Sequence, residues 1–402
     1  MRVLVLDGNQ NQAVACVRSL ARAGHRVWVG ESASWSKAGW SRYCYRSFRY
    51  PAPQRDSRSF VTSVATQAAA EPGTFVLPTT EATSLPLSAG RDEIRAAGGR
   101  MVLPAHADLL RACNKDETMR LACSLGVRVP QTITISSPED AEQASRSVSY
   151  PVVLKPCRST EILRDGTVRA AGRPRYAQTA AEFMLAYELL NRMSTAVLAQ
   201  EFVEGAGLGY FALMRHGEVR AEFAHRRIRD VYPSGSGSAL RISVEPDSQI
   251  RNAAIAILRG LNWHGAAMVE FRQSRDEAPV FMEVNGRLWH SLALACYAGA
   301  DFPVWLAQLA ERGEIDAQTP YRTGVPCRWW LGDFHHLLQV WCGKPPGYPA
   351  EYPSRLQTLL SEVTPVAGTY HDNFRWDDPL PEFGDWLRFL NPFQERAGGI
   401  RA

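Results

Sequence analysis

The chain has 402 residues, 45% hydrophobic and 21% charged, which describes an ordinary globular protein with length enough for two or three domains. Forty-five basic residues against 41 acidic ones leave a formal charge of +4, too balanced for a nucleic-acid surface, and no stretch approaches the length of a membrane span. The 8 cysteines show no C-x-x-C spacing, which disfavours a zinc module or a disulfide framework and suits a reducing cytosol. The opening residues, Met1 to Gly8, carry too short an apolar run for a signal peptide and read as a first strand, so the expected location is cytoplasmic.

Strand and helix alternate over residues 1–105, as in an open parallel α/β unit. A strand over 3–6 meets Gly8, and a helix over 10–23 presents Val14, Val17, Leu20 and Ala21 on one face before Gly24 stops it. Strands are predicted over 26–29, 74–77 and 101–103, with helices over 59–70 and 81–97. The turn Asp7-Gly8-Asn9-Gln10 lacks the G-x-G-x-x-G of a dinucleotide site, although Glu31 ends the second strand as a ribose-binding acid would. A small-substrate surface around 8–10 and 79–81 is the better expectation.

A second unit starts at Asn114, an N-cap with Glu117 three residues on, which opens a helix over 115–125 closed by Gly126. Lys115 thereby sits at the positive end of a helix dipole, a place to meet phosphate. A strand over 150–156 puts Val153 and Lys155 on one face. A polar loop over 157–177, a helix over 180–193 and a strand over 196–203 complete a small α+β lobe. Strands over 210–214 and 218–229 then flank a His216–Gly217 turn. The Ser/Gly-rich loop 233–238 reads as a plain connection to a helix over 248–261.

The next stretch carries the chemistry. Residues 268–272 and 280–287 form a predicted hairpin, and centring its turn on 276–277 sets Glu270 roughly opposite Glu283. Alternation puts Glu283, Asn285 and Arg287 on one face, with Met282 and Val284 on the other. Two carboxylates, an amide oxygen and a guanidinium then converge. Hard divalent cations such as Mg²⁺ take such oxygens and share them with substrate phosphates, and a guanidinium grips phosphoryl or carboxylate oxygens in bidentate fashion. Beyond residue 319 the chain grows rich in Trp and Pro and reads as a segment appended to the core. Trp329, Trp330 and Trp341 are expected to form its interior, and His335 and His336 to be packing or surface residues.

The order of these features resembles the ATP-grasp superfamily, which includes biotin carboxylase and D-alanine–D-alanine ligase. The resemblance covers roughly residues 1–320 and implies an ATP-grasp fold, α/β and α+β in class. Its parts would be a pre-ATP-grasp α/β domain (1–105), a lid lobe (106–205) and a central lobe with the metal hairpin (206–320), followed by a C-terminal extension (321–402). It further implies that Lys115 and Lys155 hold the phosphates of ATP. Adenine would lie at the hinge formed by Gln200, Glu201, Phe202 and Val203, bound through backbone groups at Glu201 and Val203, with Val153 and Met282 lining the ring. Glu270, Glu283 and Asn285 would coordinate Mg²⁺, or Mn²⁺ in its place, and Arg287 would meet the transferred phosphoryl group.

The stretch 372–379 looks like a branch of carboxylate–amine ligases related to D-aspartate ligase. Three departures from the wider pattern stand out. The glycine-rich phosphate loop is missing: Cys157-Arg158-Ser159-Thr160-Glu161 has no glycine before Gly166, which leaves Arg158 or Ser159 to close over phosphate. Glu204 is the nearest substitute for a ribose-binding acid, and Gly286 stands where a proline is common.

The resemblance implies ATP-dependent ligation: a carboxylate becomes an acylphosphate, and an amine from an amino acid or small peptide-like substrate displaces phosphate. Arg227 or Arg229 would bind the acceptor carboxylate, with cross-strand pairing to Glu218 or Glu222 as the equal alternative. Small-molecule acids and amines are the expected partners, without nucleic acid or membrane, and a homodimer is left open. The rival readings are an ATP-dependent phosphotransferase, a nucleotide sensor without turnover, and an NAD-dependent oxidoreductase that the absent glycine fingerprint disfavours.

Overall fold

The computed structural model describes residues 1–162, 168–274, 277–364 and 366–391. Four parallel strands, β1 (Arg2–Val5), β2 (Arg26–Glu31), β3 (Arg46–Arg49) and β4 (Phe75–Leu77), lie in the order β3-β2-β1-β4. Leu4 and Leu6 face one buried cluster while Val3 and Val5 face another, so both sheet faces are covered, as a parallel sheet requires. The edge strand β3 has a polar, largely exposed sequence that hides it from hydrophobic patterning. The predicted strand over 101–103 does not form. After the single Phe75↔Arg100 bridge the chain leaves the sheet, and Val102 is buried with its carbonyl against Gly265 instead. The predicted helix over 81–97 is two, Glu81–Ala89 and Arg91–Ala96, parted at Gly90, where a Cβ would stand 2.6 Å from Val61.

The second layer holds β5 (Thr132–Ile135), β6 (Val152–Pro156), a short hairpin of β7 (Thr160–Ile162) and β8 (Val168–Ala170), then β9 (Arg175–Ala177) and β10 (Val197–Glu201). β5, β10, β6 and β9 form an antiparallel sheet in that order, backed by helices Pro138–Ser147 and Ala180–Asn191. The loop glycine Gly166 lies outside the described residues.

The third sheet is the frame of the molecule. β11 (Ala206–Arg215), β12 (Glu218–Arg229), β13 (Leu240–Val244), β14 (Gly265–Gln273), β15 (Val280–Asn285), β16 (Pro326–Arg328) and β17 (Tyr370–His371) run in the order β15-β14-β11-β12-β13-β16-β17. On one face Tyr210, Ala212, Val269 and Phe271 pack against helix Ser248–Gly260 and against Leu109 and Met119 of helices His106–Cys113 and Lys115–Ser124. On the other, Phe211, Phe223 and Met268 meet Trp289, helices Leu292–Ala298 and Phe302–Arg312, and the first sheet's helix Asn11–Arg22. Among the described residues no single helix is long and apolar enough to cross a membrane; one bent pair, Leu292–Ala298 with Phe302–Arg312, passes by length and composition only, and it is largely buried here.

The C-terminal segment is built into this frame rather than laid upon it. β16 and β17 extend the third sheet, and buried ion pairs stitch the segment to distant elements. Arg241 pairs with Asp372, both fully buried, Arg18 with Asp378 at 2.8 Å and Lys37 with Asp385 at 2.6 Å. Trp329 donates its indole N–H to Asp385 at 2.6 Å, and the His336 ring, also buried, meets the Asp230 carbonyl at 2.6 Å. Trp341 departs from expectation: it is 43% exposed.

Candidate active site

A cleft of about 420 Å³ opens between the second and third sheets. Its floor is the hairpin β14–β15, where Glu270 pairs directly with Glu283 and Met268 with Asn285. Asp276, on which the predicted turn was centred, lies outside the described residues, but the register is the expected one. A bulge follows, because Glu270↔Glu283 is succeeded by Phe271↔Phe281 and Met282 is left over. Met282 therefore lines the cleft beside Glu283 instead of sharing the buried face of Val284, which corrects the strict alternation.

Cations meet these acids. Lys115 Nζ lies 3.4 Å from Glu283 Oε2 and donates to Ser159 Oγ at 2.9 Å. Helix Lys115–Ser124 is set in place by the Asn114 side chain, which accepts from the N–H groups of Asp116 and Glu117. Burial alone would raise the Glu283 carboxyl, but Lys115 and Lys155 hold it well below the usual range. Lys155 is 9% exposed; burial, with Lys115 nearby, lowers its ammonium to about 8. Arg287 donates to Asn285 Oδ1 at 3.0 Å. Arg158 and Ser159, the residues that stand where a glycine loop was expected, both line the cleft.

Val153, Glu201, Phe202 and Val203 line the same space from the hinge. The Glu201 N–H already donates to the Gln131 carbonyl at 2.9 Å, so that backbone donor is engaged within the fold. Glu204 is exposed and is not among the lining residues. Glu204→Ala is accordingly expected to leave the KM for ATP within twofold of the parent in steady-state assays; a clear rise would return the residue to the site.

The two arginines separate. Arg227 faces the cleft and donates to Glu270 Oε2 at 2.6 Å, with Asp230 3.8 Å away. Arg229 turns to the C-terminal segment, where Asp333 and Glu362 lie at 2.7 and 2.8 Å, and is withdrawn as a substrate ligand. Neither meets Glu218 or Glu222, whose partners are Arg220 and Arg251. The turn at 8–10 is likewise withdrawn as a substrate surface. Glu31 accepts from the Asn9 N–H at 3.0 Å and Asp7 from Thr79 and Thr83, so these groups hold the turn together.

Sequence reading missed His225, Trp289, His290 and the loop Ser234–Ser238, all of which line the cleft. His225 was legible as the cleft-face neighbour of Arg227 two residues on. The loop was not, since only the folded chain brings it under Tyr176, whose hydroxyl donates to the Ser234 carbonyl at 2.8 Å. Among the described residues no group of three or more His, Cys, Asp or Glu side chains is placed to hold a metal. Two carboxylates and one amide oxygen remain, a set suited to a hard cation that completes its shell with phosphate and water.

Residues 194–331 match a family model described as ATP-grasp in the biosynthetic pathway with Ter operon. A D-alanine–D-alanine ligase from Nitrosospira multiformis is 27% identical over 197 residues, 45% of this chain and 60% of that protein. The N-terminal section of a carbamoyl phosphate synthase large chain from Methanopyrus kandleri is 26% identical over 275 residues, 64% of this chain and 46% of the other. The matches thus span about half to three fifths of these relatives. Among solved structures, an L-amino acid ligase from Bacillus licheniformis superposes with a TM-score of 0.60 at 16% identity, covering 77% of this chain and 74% of its own. A biotin carboxylase from Campylobacter jejuni gives 0.63 at 16% identity, covering 81% and 74%.

Proposed function

We propose that the chain, whose residues 194–331 match an ATP-grasp family model, is an ATP- and Mg²⁺-dependent ligase that joins a carboxylic acid to an amine. The observation that carries this reading is the direct pairing of Glu270 with Glu283 on the cleft floor, with Lys115 and Lys155 beside them. Glu270, Glu283 and Asn285 would hold the divalent ion, whose contribution when bound is to neutralise charge on the triphosphate. Lys115 and Lys155 hold the phosphates, Arg158 and Ser159 close over them, and the hinge holds adenine against Val153 and Met282.

In the first step a carboxylate oxygen of the acid attacks the γ-phosphorus; the bond to the β,γ-bridging oxygen breaks, and ADP leaves with that electron pair. In the second, the amine nitrogen adds to the acyl carbon, the tetrahedral centre collapses with loss of phosphate, and the nitrogen gives up its proton. The chain's part is to position and to balance charge, since phosphoryl transfer needs little covalent work from protein. Lys155 and Arg287 offset charge on the transferred group, and Arg227 orients the acid.

ADP release over a panel of amino acids and amines tests this. Release that needs both an acid and an amine is expected; release with a hydroxyl substrate alone marks a kinase, and none at all marks a sensor. Lys155→Ala is expected to weaken ATP binding roughly 10- to 100-fold, the range for a charge-assisted contact, in calorimetry. The lowered ammonium sets a pH signature. Lys155 is charged below about 8 and neutral above it, and phosphate favours the charged form. ATP affinity is expected to fall between pH 7 and 9, with proton uptake on binding at the upper end; a flat profile would remove Lys155 from the phosphates.

A further inference from the structure

Three parts of the chain meet at one end of the cleft: the strand β9, the hinge after β10, and the loop of the C-terminal segment around Gly347 and Tyr348. Their common anchor is the loop after β12. The Tyr176 hydroxyl of β9 donates to the Ser234 carbonyl at 2.8 Å, and the Tyr348 hydroxyl donates to the adjoining Pro233 carbonyl at 3.5 Å. Arg272 ties the hinge to the same loop, donating to the Val203 carbonyl at 3.3 Å and to the Gly235 carbonyl at 3.0 Å.

Tyr348 closes an aromatic triangle over this junction. Its ring meets Tyr176 edge-on at 4.9 Å and Phe202 at 5.7 Å, and those two rings stand 6.2 Å apart. Edge-to-face pairs at such separations attract beyond the area they bury. Tyr176 and Phe202 line the cleft, whereas Tyr348, buried behind them, is not among the lining residues. β9 is the edge of its sheet, and the C-terminal loop covers it there. The Gln178 amide donates to the Gly347 carbonyl at 3.4 Å, and the Tyr348 N–H to the Pro345 carbonyl at 3.2 Å. Gly347 has φ +71° and lies so close to β9 that a Cβ would collide with the Tyr176 carbonyl. Only glycine brings the loop this near.

We propose that Tyr348 is a positioning residue of the nucleotide site, through which the C-terminal segment clasps the lid to the hinge and holds Phe202 and Tyr176 where adenine is received. This rests on the ligase reading only as far as nucleotide binding. A side chain that backs two lining rings acts on a ligand by fixing where those rings stand. Such preorganisation appears in affinity, because without it binding must order the rings itself. The triangle shares no residue with the set assigned to the phosphates and the metal, Lys115, Lys155, Glu270 and Glu283. Its loss therefore weakens ground state and transition state alike, which raises the KM for ATP at a nearly constant kcat.

Calorimetry with MgADP and steady-state ADP release, both on the whole protein, test the clasp. Tyr348→Ala is expected to raise the Kd for MgADP and the KM for ATP at least fivefold, with kcat within twofold. Tyr348→Phe, which keeps the ring and loses only a long hydrogen bond, should stay within twofold of the parent in every reading. Gly347→Ala reaches the same contact by a second route, lifting the loop from β9, and is expected to raise the Kd at least fivefold. Trp341→Ala, which removes an exposed aromatic from the same segment, should leave the Kd within twofold. A parent-like Kd in either Tyr348→Ala or Gly347→Ala, with circular dichroism of the parent, overturns the clasp. So does Tyr348→Phe as weak as Tyr348→Ala, an equal loss in Trp341→Ala, or a loss confined to kcat. A parent that binds MgADP but releases no ADP with any acid and amine overturns the ligase reading, and the calorimetric arms still decide the clasp. A parent that does not take MgADP overturns both.

Discussion

Glu283→Gln is expected to cut Mg²⁺-dependent ADP release by roughly 10²- to 10³-fold, the scale of losing a preorganised charged contact to phosphoryl transfer. The side chain is 28% exposed and rests beside Lys115, so the neutral isostere fits the same space, and circular dichroism should match the parent. The loss follows from charge: an amide keeps one ligand oxygen but not the negative charge that a hard cation prefers. The variant also frees Lys115 from its partner, so ATP binding without metal should not weaken. Turnover that survives with its Mg²⁺ dependence intact would take Glu283 out of the metal site.

Asp372→Ala is expected to be the most damaging change among residues that do not line the cleft. Removing one partner of a buried ion pair costs about 3–5 kcal/mol, because the remaining charge is left unpaired. Here that charge is Arg241, which is 0% exposed, and Asp372 also accepts from the Asn11 amide at 3.2 Å and from the Cys327 thiol at 3.4 Å. Burial would raise the Asp372 carboxyl, but Arg241 overrides it and holds the group below its ordinary value. Its contribution is therefore fully present above the unfolded carboxylate value near 4, and is lost as pH falls through the lower folded value. Urea unfolding at pH 7 should show the deficit, and the gap between parent and variant should narrow in acid. A midpoint within experimental error of the parent would make this pair dispensable.

The hairpin was legible because a two-residue period and a turn fix which side chains oppose each other, and Glu270 and Glu283 follow from that alone. The helix at Lys115 was legible from its cap. The bulge at Met282 was not, since an extra residue leaves the composition of a strand unchanged. Arg227 and Arg229 share the same face by period, yet the partner of one comes from β14 and those of the other from helices 104 and 133 positions further on, which local pattern cannot assign. β3 escaped because an edge strand need bury little, and the run at 101–103 misled because apolar residues can be buried by packing without pairing.

The stitched ion pairs bear on how the chain comes to fold. Arg18 and Asp378 are 360 positions apart, and Lys37 and Asp385 are 348 apart. During synthesis the first sheet leaves the ribosome long before those aspartates exist, and its two cations stay hydrated until Asp378 and the helix Leu380–Leu390 arrive. Docking of that helix is thus a late event with large loop closure, and a nascent chain stalled before residue 372 should be open to protease at its N-terminal sheet as well as at its unfinished end.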